Sequence, residues 1–167
     1  MSNPQDGTNP NGVGASPLRK EDARHLAGRA LFVGDIPPGD FWEAAIVRSP
    51  VAHGYLNGVD TSEVPAGCHI LTASNFRDIG AIRAIPRVPG FKASDFPIFA
   101  TEKVRYVGQP VAICLAPTRA EAEDIVQTIS IDIDELPAVT DTRDATTRTE
   151  PLIHESWGDN VYIEREV

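Results

Sequence analysis

Sulfur and aromatic side chains are scarce in this sequence: its 167 residues include two cysteines and one methionine, and aromatic residues make up 7%. Two cysteines, Cys68 and Cys114, exclude a disulfide framework. They also exclude a [2Fe-2S] cluster held by this chain alone, since such a cluster takes about four thiolates. Basic residues are outnumbered, with 15 Lys and Arg against 24 Asp and Glu, for a net charge of -9. No basic patch offsets this acidity, which argues against a nucleic-acid binder and against docking on an anionic membrane. No apolar run approaches the ~20 residues of a membrane span, and no charged-then-apolar leader opens the chain. The expectation is a soluble, reduced, cytoplasmic protein. Hydrophobic residues at 41% and charged residues at 23% are ordinary for a globular fold. The length is about one domain's worth, enough to bury roughly two thirds of the unfolded surface.

Residues 1–23 read as a disordered polar tail and residues 24–167 as the folded domain. The first 17 residues are mostly Asn, Pro, Gly, Ser and other small types that cannot bury surface. One helical turn is expected from Ser16 as N-cap and Pro17 as first helical residue. Ala30 to Val33 is a short apolar run closed by Gly34-Asp35 and the Pro37-Pro38-Gly39 breaker. Phe41 to Arg48 is apolar at positions of both parities, as a strand buried on both sides would be. His53 to Asp60 and Cys68 to Thr72 read as further strands, and Ala73 to Arg77 as a helical turn. Residues 78–100, broken by Pro86, Pro89, Gly90 and Pro97, form a long irregular loop, a feature that is usually functional.

The clearest pattern lies at 104–139. Val104 to Val107 is a short strand, turned by Gly108-Gln109-Pro110, and Val111 to Ala116 is a fully apolar strand. Thr118 and Glu121 make a capping box, and Ala122, Ile125, Val126 and Ile129 share one helical face. From Ile129 the period switches to two, with Ile131 and Ile133 against Ser130, Asp132 and Asp134, the mark of a half-buried strand. This β-α-β unit anchors an α+β fold with one main helix. A weak helical turn at Asp144 to Thr147 and an extended piece around Asn160 to Ile163 follow.

Candidate chemistry is thin. His25, His53, His69 and His154 lie far apart, and no ligand pair has zinc-site spacing, so packed or surface histidines are expected. Cys114, inside an apolar strand, reads as a small buried hydrophobe. No nucleophile elbow or phosphate-cradling glycine loop occurs. Asp132, Asp134 and Glu135 read as a solvated strand face.

Taken in order, several segments resemble one family. Gly28 to Ile36 is similar to the opening of the molybdenum-binding chain of the xanthine dehydrogenase/aldehyde oxidase family. Arg48-Ser49-Pro50-Val51-Ala52-His53 resembles its R-S-P-x-A-H piece, and Val59-Asp60-Thr61-Ser62 its I-D-x-S piece. Val104 to Ala112 (V-R-Y-V-G-Q-P-V-A), the helix with Ala120 to Asp124, and Leu136-Pro137-Ala138-Val139 with Asp141 complete the likeness over about 24–163. Gly34, where the family often has Asp, and the shortened stretch Glu63 to Gly67 depart from the common pattern.

The resemblance implies an α/β-hammerhead domain: a small mixed sheet, one main helix and a long irregular loop. It implies a non-catalytic domain or subunit of a molybdenum hydroxylase, docking the molybdopterin and iron–sulfur parts. Molybdopterin, [2Fe-2S] and FAD or another acceptor belong to the implied complex, and no catalytic, cofactor or metal residue maps onto this chain. The chain is then either a separate subunit or part of a longer one. A stand-alone interaction or small-molecule-binding module without redox function is the alternative. The expected partner-facing surface combines the apolar loop with the turn after the short strand: Ile82, Arg83, Arg87, Phe91, Arg105, Tyr106, Gly108, Gln109 and Pro110.

Overall fold

The computed structural model describes residues 12–15, 17–36, 39, 41–84 and 88–166, in two units, 1–40 and 41–167. In the first unit a helix, α1 (Asp22–Leu26), is followed by a 3-10 turn at Val33–Asp35. The expected helical start is therefore displaced: Ser16 lies outside the described residues, and Pro17 to Arg19 are not helical. Glu21 offers no side-chain cap, but Asp22 in the first turn and Arg24 and His25 in the last complement the helix dipole in this register. The apolar run at 30–33 ends in the 3-10 turn, where Phe32 N–H donates to Asp35 Oδ2 at 3.0 Å.

The second unit holds β1 (Glu43–Arg48), β2 (Gly54–Asp60), β3 (His69–Thr72), β4 (Ile82–Arg83), β5 (Asp95–Phe96), β6 (Lys103–Val104), β7 (Pro110–Ala116), α2 (Arg119–Thr128), β8 (Ser130–Glu135) and α3 (Thr142–Thr147). The pairings make three small sheets, β1-β7-β3, β6-β2-β8 and β4-β5, antiparallel throughout. The α+β class with one main helix is as expected, and the β structure is shared among these sheets. The anticipated β-α-β unit does not close on itself. Both edges of β7 are taken by β1 and β3, so after α2 the chain crosses to pair β8 with β2.

α2 has the cap its sequence predicts. Glu121 N–H donates to Thr118 Oγ1 at 3.2 Å, and Thr118 N–H donates to Glu121 Oε2 at 3.1 Å. Its inner face brings Ala122 and Ile125 onto Cys114 and Ala116 of β7, with Ala45 and Ile70 alongside. A second cluster, Ala100, Val104 and Val111, is packed by Leu56, Val59, Ile131 and Ile133. β7 joins the two, because Val111 at one end and Cys114 at the other face different clusters.

β1 is not buried on both sides: Val47 is buried, whereas Ala44, Ile46 and Arg48 are exposed. It is an edge strand covered by α2 on one face only. The strand expected at Val104 to Val107 stops at Val104, because Gln109 folds the chain back. Its Oε1 accepts Arg105 N–H at 2.7 Å, and its own N–H donates to Tyr106 O at 3.2 Å. Gly108 carries φ +85°, which favours glycine at this turn.

Candidate partner-facing site

The described residues of 78–100, namely 78–84 and 88–100, make a strap with a two-residue ladder, Ile82 opposite Phe96 and Arg83 opposite Asp95. Arg83 grips the Asp95 carboxylate with both Nε and Nη2, the latter at 2.7 Å. This holds the carboxyl of Asp95 below its usual range. The far end of the strap is tied to the C-terminal segment. Lys92 N–H donates to Tyr162 O at 2.7 Å, Lys92 Nζ donates to Asp159 at 2.6 Å, and Trp157 Nε1 donates to Ala93 O at 3.2 Å.

Of the expected surface residues, Ile82 is 78% exposed and Tyr106 is 46% exposed. Phe91 is half-buried, edge-on to Tyr162 with ring centroids 5.9 Å apart. Arg105 is half-buried and donates from Nε to Ile153 O at 2.9 Å. Gln109 is buried and shapes the turn from within, Pro110 is half-buried as the first residue of β7, and Gly108 supplies the left-handed corner. Arg87 lies outside the described residues. The fold brings Arg105, Tyr106, Gln109 and Pro110 together with Phe96, Ile98, Ile153 and His154 around a cavity of about 210 Å³. A second cavity, of about 370 Å³, adds Phe91, Trp157 and Tyr162. Ile153, His154, Trp157 and Tyr162 are absent from the sequence-based expectation. They sit some fifty residues downstream in an irregular segment, with no periodicity to announce them.

Beneath this face Lys103 is 4% exposed, its Nζ held by Leu152 O at 2.8 Å and by the Glu155 carboxylate, while the Glu155 side chain is 56% exposed. Partial burial pushes the Glu155 carboxyl up, but hydrogen bonding from Lys103 and the nearby cations outweigh this, leaving it below its usual value. The two partners differ in what their loss leaves behind. Glu155→Gln strands a buried ammonium, at an expected cost of about 1–2 kcal/mol, below that of a fully buried pair because one partner is wet. Lys103→Met removes the buried charge and frees Glu155 to water, so less than ~1 kcal/mol is expected. Urea denaturation of both variants checks this order, and the reverse order would place the burial wrongly.

His53 is buried, and its Nδ1–H donates to the Pro137 carbonyl at 3.1 Å while its backbone carbonyl accepts Leu136 N–H at 2.9 Å. Nε2 has no partner. Burial lowers the ring's pKa below 6.5; the Pro137 bond opposes this, Lys103 and Arg105 add to it, and Glu155 opposes it. His154 is lowered as well, first by burial and then by Arg105. The folded state therefore binds fewer protons than the unfolded state. Stability is fully present above the unfolded value near 6.5 and is lost as pH falls toward the folded values. The urea midpoint is expected to drop between pH 7 and 5.5, above the range of the carboxylates. The drop should shrink in His53→Gln and His154→Gln, and a flat midpoint would contradict the assignment.

Cys114 is fully buried and its thiol is pushed up, by burial first and by Cys68 second. It packs as the small hydrophobe its strand context predicts, and the acidic positions of β8 are exposed. Among the described residues no three His, Cys, Asp or Glu side chains converge as metal ligands. With two cysteines in all, one of them poorly disposed to ionise, the side chains do not fit ligation of an iron–sulfur cluster, which takes about four thiolates. No helix among the described residues is long and apolar enough to cross a membrane.

Two antiparallel three-stranded sheets, the capped main helix α2 against one of them and an apolar strap define a small α+β domain of hammerhead type. Residues 27–137 match the sequence profile of the aldehyde oxidase and xanthine dehydrogenase a/b hammerhead domain, and the chain belongs to that family. It is 36% identical over 158 residues to the nicotine 6-hydroxylase large subunit of Paenarthrobacter nicotinovorans, covering 92% of this chain and 19% of that one. It is 34% identical over 139 residues to the carbon monoxide dehydrogenase large chain of Hydrogenophaga pseudoflava, covering 81% of this chain and 17% of that one. The structure matches quinoline 2-oxidoreductase from Pseudomonas putida 86 with a TM-score of 0.76 at 32% identity, over 86% of this chain and 19% of that one. The chain thus spans about a fifth of the length of these relatives.

Proposed function

We propose that this chain serves as the non-catalytic hammerhead part of a molybdenum hydroxylase of the xanthine dehydrogenase/aldehyde oxidase type. On this reading it docks the molybdopterin-bearing and iron–sulfur parts of that enzyme, which carry molybdopterin, [2Fe-2S] and FAD or another acceptor. The folded domain is taken as 24–167 after a polar tail, and the location as cytoplasmic. The observation that carries the docking role is the apolar surface gathered on the strap and the following turn, where Ile79, Ile82, Phe96, Ile98, Tyr106 and Val107 are all exposed. An exposed apolar area of this kind usually marks an interface. The family relationship supports the same reading, since proteins such as the xanthine dehydrogenase molybdenum-binding subunit of Escherichia coli O157:H7 contain the domain as a minor part of a longer chain.

Hydrogen exchange with and without the remaining enzyme parts tests the proposal. Protection is expected to rise at 79–84 and 94–107. Protection gained only on α2 and β8 would mean that the opposite face docks. Ile82→Asp, at a side chain already in water, should leave the urea midpoint unchanged while speeding dissociation of the complex at least tenfold, as loss of an apolar anchor does.

A further inference from the structure

Three cations around the strap are matched with carboxylates of the same chain. Arg83 holds Asp95, Lys92 holds Asp159 and Lys103 holds Glu155. Arg105 stands apart. It forms no ion pair among the described residues, and its guanidinium spends Nε on Ile153 O and Nη1 on Lys103 O, at 2.9 and 3.4 Å, leaving Nη2 with no acceptor among those residues. Among the described residues the only buried side-chain polar atom without a partner is His53 Nε2, so Arg105 Nη2 retains access to the surroundings. Arg105 lines the 210 Å³ cavity, whose other walls include Phe96, Tyr106, Ile153 and His154. Three planar side chains and Ile153 thus line the cavity that Arg105 borders.

Two features of the walls bear on what this cavity accepts. Asp95 also lines it, but its carboxylate is committed to Arg83, and Glu155, which Arg105 helps hold below its usual value, is bound by Lys103. Burial and Arg105 lower the pKa of His154, which disfavours a second cation here, and its ring centroid lies 4.2 Å from that of Trp157. The volume lies below the roughly 300 Å³ at which drug-sized pockets begin, which limits the occupant to a single ring with a short acid arm. In a chain of net charge -9, an anion is attracted here only by a local, directed donor.

We propose that the cavity walled by Phe96, Tyr106, Ile153 and His154 binds an aromatic carboxylate, with the acid taken by Arg105 and the ring packed among the planar walls. The same chemistry is offered by a free aromatic acid and by an aromatic-acidic segment of another polypeptide. Binding at this site requires only the chain itself, so its failure leaves the docking reading standing, and failure of docking leaves this site standing.

The test is an amide-resolved NMR titration of the full chain at pH 7 with 3-phenylpropionate, with 3-phenylpropanamide and with the peptide acetyl-Ala-Phe-Glu-Ala-amide. The free acid or the peptide should bind with a dissociation constant of roughly millimolar order, shifting resonances at 94–98, 105–110 and 153–154. The uncharged amide should bind at least tenfold more weakly. Arg105→Gln should abolish binding, and Tyr106→Ala, at an exposed side chain, should weaken it severalfold without altering the urea midpoint. Tighter binding of the peptide than of the free acid assigns the site to a polypeptide segment, and the reverse assigns it to a small molecule. Equal binding of acid and amide, shifts mapping elsewhere, or no shift with any ligand at 20-fold its expected dissociation constant overturns the proposal.

Discussion

Replacing Gly54 with alanine is expected to destabilise the domain by about 3 kcal/mol, at the upper end of ordinary overpacking costs. Gly54 lies in the central strand of its sheet, opposite Glu135 on one side and Val104 on the other. A Cβ there would stand 2.5 Å from Ile133 Cγ2 and 2.8 Å from the Asp134 carbonyl oxygen. The first contact involves a side chain, but the second involves ladder backbone, so relief requires moving β8 away from β2. Gly58, four residues along the same strand, is the internal control: nothing lies within 4 Å of its virtual Cβ. Gly58→Ala should be neutral or slightly stabilising, since alanine loses less conformational freedom on folding. Equal urea midpoints for the two variants would show that the β2–β8 spacing is wrong.

Ile125→Ala is expected to cost 2–5 kcal/mol, roughly the range for truncating a buried isoleucine. The side chain is buried where α2 meets Cys114 and Ala116, two small residues that leave a truncation unfilled on that side. Thr118→Ala, at the exposed cap of the same helix, removes the acceptor for Glu121 N–H and should cost about 1 kcal/mol. The ratio is the informative quantity. Both variants affect one helix, but only one opens a cavity, so comparable shifts in denaturant midpoint would mean that the helix is held by its cap rather than by its buried face.

How far the sequence reveals this protein depends on the range of the interaction. The α2 helix is legible because its cap is a three-residue relation and its buried face repeats within ten residues. β8 is legible because Ile131 and Ile133 alternate with acids, and Cys114 because its neighbours are apolar. The family relationship is legible too, since it rests on the order of short segments. Edge effects are not: the alternating burial of β1 arises because one of its faces lacks a cover, which the residues Phe41 to Arg48 do not encode.

Sequence by itself determined the α+β class, the capped main helix α2, the apolar strap, and the lack of cysteines for a resident iron–sulfur cluster. Tertiary structure decided which strands share a sheet, because β7 has only two edges and both were claimed before β8 arrived. It also decided that Gln109 turns inward, that Lys103 is buried against Glu155, and that Ile153 and His154 join Arg105 around one cavity. The last two join residues some fifty positions apart through irregular backbone, and a local pattern carries no record of them.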